Sequence, residues 1–131
     1  MKIARLYADA DGESHWDDVE VDFTWQDFAP PAPPLGVTQF VSAKTVGFIQ
    51  GEVGWVGDWH PAPQRVLAVY LSGELEIEAS DGEVRPIGPG TILLAEDTAG
   101  KGHRNRVTSS TELEMVFVTL PDRKGPQPRH A

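Results

Sequence analysis

Residues 66–79, VLAVYLSGELEIEA, decide the fold. Val66 to Leu71 is continuously apolar, the pattern of a strand covered on both faces. Ser72-Gly73 then turns the chain into Glu74 to Ala79, where Leu75 and Ile77 alternate with Glu74, Glu76 and Glu78. That alternation reads as a strand with one buried and one wet face. The three glutamates then belong to a solvated outer surface, and no carboxylate pair points inward for glycosidic chemistry. Asp81-Gly82 follows as a hairpin turn, since both residues tolerate positive φ.

Outward from this pair the same grammar continues. The 13 glycines and 11 prolines recur every few residues, and no uninterrupted window carries an apolar stripe of helical period. Strands are expected at Ile3 to Tyr7, around Val19 to Phe23, at Val37 to Ala43, Val46 to Gln50 and Thr91 to Ala95. A last long strand is expected over Glu112 to Leu120, with Leu113, Met115 and Phe117 on one face. Pro30, Pro31, Pro33 and Pro34, ending at Gly36, should run as extended polyproline II across the surface. Short strands between turn residues indicate an all-β sandwich or barrel.

At 131 residues the chain fits one domain. We divide it into N-terminal strands and a proline-rich connector (1–36), a barrel core (37–120) and a flexible tail (121–131). No stretch has 18 consecutive apolar residues, and the opening MKIARLYADADGES turns acidic where a secretion signal would be apolar. A cytoplasmic location is therefore expected. With no cysteine, disulfides, thiolate ligands and cysteine nucleophiles are excluded, so any metal must be held by imidazole and oxygen. A formal charge of −9 argues against nucleic acid as a partner. The acidic run Asp9, Asp11, Glu13, Asp17, Asp18, Glu20 and Asp22 reads as a solvated segment. Gly51-Glu52-Val53-Gly54 lacks the Lys-Ser or Lys-Thr of a phosphate loop, and no serine stands in a G-x-S-x-G context.

One resemblance covers roughly Gly54 to Leu120. Gly54 is followed after five residues by His60, and Gly73 closes the stretch after YLS; then come Gly82, IGPGT at Ile87 to Thr91, and His103. This order resembles the two facing motifs of the cupin family. The segments GDWHPAP and EDTAGKGH look like those of small single-domain bacterial cupins. The resemblance implies a jelly roll, a double-stranded β-helix, with His60 and His103 pointing between its sheets. It also implies a divalent metal (Fe, Mn, Ni or Zn) held by four ligands. Here the second histidine position falls on Ala62 and the glutamate position on Val66, which leaves His60 and His103 as the metal candidates.

Gln64, Glu96 and Asp97 lie close enough in sequence to complete such a set, but spacing favours none of them. A pocket without a tightly bound metal is the expectation. The expected ligand pocket comprises His60, His103, Trp59, Gln64, Tyr70 and Arg104, with Trp55 also near the approach to His60. His15 is a third histidine, expected at the surface, and His130 lies in the tail. Three functions follow. One is binding of a carboxylate-bearing or sugar-like small molecule through His, Arg and Trp groups. Another is an enzyme, metal-dependent or not, of isomerase, lyase or oxygenase (dioxygenase) type, with His60 or His103 as acid/base. The last is a regulatory or structural dimer with a vestigial pocket. A homodimer is expected on the resemblance, since small cupins pair through N-terminal strands.

Overall fold

The computed structural model describes residues 1–123 and is all-β, with no helix among them. Twelve strands form three sheets. β1 (Lys2–Ala8) and β2 (Ser14–Glu20) are followed by β3 (Thr24–Gln26) and β4 (Leu35–Val37). The barrel strands are β5 (Thr45–Gly51), β6 (Val56–His60), β7 (Val66–Ser72), β8 (Leu75–Ala79), β9 (Val84–Ile87), β10 (Ile92–Glu96), β11 (His103–Val107) and β12 (Leu113–Thr119).

Strand pairing names the architecture. β8 pairs with β9, β7 with β10, β6 with β11 and β5 with β12, all antiparallel. The eight strands are thus one long hairpin, rolled so that its successive rungs alternate between two sheets. The sheets have the orders β2-β1-β10-β7-β12-β5 and β6-β11-β8-β9. This nesting is a jelly roll. β1 adds to the larger sheet by running parallel to β10, and β2 closes that edge.

The core lies between the sheets. Leu75, Ile77 and Ala79 of β8 face Val66, Ala68 and Tyr70 of β7, with Leu93, Ala95 and Leu113 closing around them. Leu75 and Ile77 are essentially inaccessible. Glu76 and Glu78 point outward, where they pair with Arg106 and Arg104. Met115 and Phe117 share the inner face of β12 with Leu113.

Several expectations need correction. The second strand begins at Ser14, five residues earlier than expected, because Asp9 to Gly12 makes a tight turn: Gly12 N–H donates to the Asp9 carbonyl, and the Asp9 carboxylate accepts from the Asp11 and Glu13 amides. The proline segment bends instead of running extended, since Ala32 N–H returns to the Ala29 carbonyl at the tip of the β3–β4 hairpin. Residues 38–44 form no strand.

The acidic segment is ion-paired as well as solvated. Asp17 takes a bidentate pair from Arg5 (2.8 and 2.7 Å), Asp18 pairs with Arg85, and Glu13 pairs with Lys101. Of the expected tail, Arg123 is held by Glu96. Residues 124–131, including His130, lie outside the described residues.

Candidate functional site

Two short polar strands build the site. β6 and β11 are antiparallel neighbours with His60 opposite His103, and the two rings lie 4.6 Å apart, centroid to centroid. The alternation of a strand then assigns every neighbour. His103 and Asn105 of β11 face the interior, whereas Arg104 and Arg106 face out. On β6, His60 faces in. Trp59 faces out and lies under the Arg104 guanidinium, 5.0 Å from the ring centroid.

The loop before His103 fixes that histidine's position. Gly102 has φ +72°, and its Cα lies so close to the His60 carbonyl that a Cβ would fall 2.1 Å from that oxygen. The same loop is pinned by the β1–β2 turn, where Lys101 N–H donates to the Gly12 carbonyl and the Ser14 hydroxyl to the Gly102 carbonyl. Asp97, at the end of β10, is fully buried, and its Oδ2 lies 2.6 Å from His103 Nδ1. The neighbouring Glu96 points the other way, into Arg5, Arg65 and Arg123. Two adjacent carboxylates therefore have opposite duties: one orients an imidazole, the other ties down the strand beneath it.

Hydrogen bonding sets the tautomers. His60 Nδ1 lies 2.5 Å from the Asp58 carbonyl, which can only accept, so this nitrogen carries hydrogen. His103 Nδ1 faces the Asp97 carboxylate and likewise donates. In each neutral ring the remaining nitrogen, Nε2, is an acceptor. Asn105 Oδ1 is buried and lacks a partner among the described residues. Burial pushes the Tyr70 phenol above its ordinary range, so it stays protonated at neutral pH.

These groups line a cavity of about 400 Å³ between the sheets, within the usual range for small-molecule sites. Its walls are mainly hydrocarbon, including Val66, Leu93, Met115 and Phe117, with Trp55 and Ile49 also present. His60, His103 and Tyr70, three of the expected pocket residues, line it. Trp59, Gln64 and Arg104 do not. Gln64 lies exposed on the loop before β7, and Trp59 and Arg104 occupy the outward positions of their strands. Trp55, Asn105 and Gln50 contribute in their place. Asn105 was findable by counting two residues from His103, had β11 been recognised as a strand.

The donor set does not fit a divalent-metal centre. Ala62 and Val66 both line the cavity, so methyl groups stand at two of the implied ligand positions. Glu96 is engaged elsewhere, and the described residues contain no group of three or more His, Asp or Glu side chains able to share an ion. Two imidazoles alone hold such an ion weakly. His15 is remote from the cavity chemistry: its Nε2 meets Asp9 at 2.6 Å and its Nδ1 meets Asp81 at 2.8 Å, joining two surface turns.

No protein-family model matches the sequence, and no curated protein matches it. Solved structures do. The cupin domain of Schizosaccharomyces pombe Cnp3 is 11% identical, with a TM-score of 0.48 over 83% of this chain and 73% of that one. A Salmonella typhimurium protein named for ethanolamine utilization (protein Q) is 21% identical, with a TM-score of 0.38 over 92% of this chain and 96% of its own. On the nested strand order itself, the chain is an all-β jelly roll with a cavity between its sheets.

Proposed function

We propose that the cavity binds a small, largely apolar molecule through one hydrogen-donating group, a hydroxyl or an amine. The observation that carries this is the meeting of two imidazoles whose Nδ1 atoms are both engaged, which leaves two Nε2 acceptors in a hydrocarbon-walled space. Asn105 Oδ1 adds a third acceptor. A buried acceptor without a donor costs about 1–3 kcal/mol, and a bound hydroxyl removes that cost. A carboxylate ligand lacks its expected cation, because Arg104 is outside and paired with Glu78.

The test is calorimetric titration with primary alcohols, phenols and amines that fill about 400 Å³, each matched to the carboxylate of the same skeleton. Alcohols or amines should bind and raise the melting temperature by mass action. His103→Ala should weaken them about tenfold to a hundredfold, the worth of one or two buried hydrogen bonds. Tighter binding of the carboxylates, or no binding by any donor, overturns the reading.

The Asp97–His103 pair favours a second reading, in which the bound molecule is a substrate and His103 its general base. An acceptor imidazole held by a buried carboxylate is the arrangement a proton-abstracting histidine needs. Solvent deuterium entering a bound compound, and ceasing to do so in His103→Ala, supports it; no incorporation across the panel removes it.

A further inference from the structure

We propose that the molecule taken up by this cavity is a phenol, a flat ring carrying its own hydroxyl, and that Trp55 at the mouth selects it. Such a ligand is a narrower case of the hydroxyl or amine inferred above, and its assignment rests on that reading. The mouth comes first. β5 ends the larger sheet and β6 ends the smaller one, so the cavity opens between two sheet edges. Among its lining residues Ile49 and Trp55 are 42% and 43% exposed, whereas Ala68, Ile77, Leu93 and Leu113 are buried deeper in. Trp55 stands in the turn that joins those edges. Its N–H donates to the Glu52 carbonyl and its carbonyl accepts from Val107 N–H, which fixes the backbone beneath the indole.

A missing side chain seats that indole. A Cβ at Gly57 would lie 2.5 Å from the six-membered ring of Trp55 and 2.5 Å from Asn105 Oδ1. The indole and the carboxamide therefore meet over the glycine, beside the buried oxygen that offers the cavity an acceptor. Gly57 is not among the glycines with positive φ, so backbone conformation does not demand glycine there. Room for those two side chains does.

The interior suits a ring. Behind Trp55 lie the rings of Tyr70 and Phe117 and the thioether of Met115. A saturated skeleton buries the same hydrocarbon against these walls. An aromatic one adds edge-to-face and offset contacts between rings, and a contact with the Met115 sulfur. Among the described residues no carboxylate, lysine or arginine lines the cavity, so a charged ligand is penalised. That disfavours alkyl amines, which are cations at neutral pH. A phenol arrives neutral, because its hydroxyl titrates near about pH 10, and that acidity makes it a stronger donor to an imidazole Nε2 than an alkyl alcohol is.

Calorimetric titration with naphthol, the fully saturated decalin alcohol and naphthyl methyl ether tests this. The wild type should bind naphthol at least about tenfold more tightly than the decalin alcohol, the worth of one or two ring contacts. The ether should bind at least about tenfold more weakly than naphthol, for want of a donor. Trp55→Leu and Gly57→Ala should each narrow the preference for naphthol to about threefold or less, and Trp55→Phe should keep most of it. Melting temperatures should stay near that of the wild type, since Trp55 is at the rim and the atoms nearest a Cβ at 57 are the ends of two side chains. Equal affinity for naphthol and the decalin alcohol overturns the phenol assignment and leaves the donor reading intact. A preference unmoved in both Trp55→Leu and Gly57→Ala overturns the role of Trp55. An ether that binds as tightly as naphthol, or no binding by any of the three, sinks the donor reading and the assignment with it.

Discussion

His103 owes its acceptor face to a single buried carboxylate, which makes the pair testable one atom at a time. In Asp97→Asn the amide can present N–H to Nδ1, driving the ring's hydrogen to Nε2 and turning an acceptor into a donor. We expect binding of hydroxyl ligands to fall at least about tenfold while stability changes by about 1–2 kcal/mol. Nitrogen NMR of the ring reads the tautomer directly. His15 gives a prediction of different kind. Its bond to Asp9, then that to Asp81, raises its pKa above the ordinary histidine value, while the same contact lowers that of Asp9. The stabilisation is fully present below the unfolded histidine pKa, near 6.5, and is lost as pH rises through the higher folded value. The Asp9 contribution is present above about pH 4 and lost as pH falls through its depressed folded value. The melting temperature of His15→Gln should therefore lag the wild type most between about pH 4 and 6.5. The gap should narrow in mild alkali. A gap that does not vary with pH refutes the pairing.

At the level of strands, β6 and β11 meet where glycine leaves room. A methyl group at Gly102 would overlap the His60 carbonyl, and φ +72° disfavours any side chain there. Gly102→Ala should cost more than about 3 kcal/mol and separate the two imidazoles. Gly82→Ala, with φ +99° but open space around it, should cost about 1–2 kcal/mol. Equal melting temperatures for the two variants would refute this account of the contact. Glu96 anchors the other end of the loop against three arginines, and Glu96→Ala should destabilise by about 3–5 kcal/mol by leaving those cations short of a partner. The same two strands mark the limit of what the sequence tells. VLAVYL and ELEIEA announce themselves by hydropathy, and the Gly54–His60–Gly73 spacing located His60. HRNRV and VGDWH have no apolar rhythm, since their outer residues are charged or aromatic and their inner ones polar. Spacing along the chain therefore counts Trp59 and Arg104 among the pocket residues, although the alternation that places His60 and His103 inside puts both outside. Gln64 is a neighbour of the pocket by distance along the chain, but the turn before β7 carries it away. Asp97 was visible as a residue near the rim; its bond to His103 depends on how a glycine loop folds back, which spacing does not encode.

For the molecule as a whole, the fold was the most legible property and the use of its surfaces the least. Pattern and punctuation suffice for a rolled β-hairpin, because burial of alternate residues is a local signal. The arm from Phe23 to Val41 carries no such signal: its aromatics look like core residues, yet they stand exposed and join neither hydrophobic cluster. The parallel pairing of β1 with β10 has a further consequence, for the order of events during synthesis. β1 has β2 beside it in sequence, but its other neighbour, β10, lies roughly ninety residues downstream, as the Arg5–Glu96 bond across 91 positions marks. The β1–β2 hairpin must therefore wait, apolar side chains wetted on one edge, until β10 has emerged. A nascent chain stalled before Ile92 should remain open to protease at residues 1–20, and release beyond Glu96 should close it.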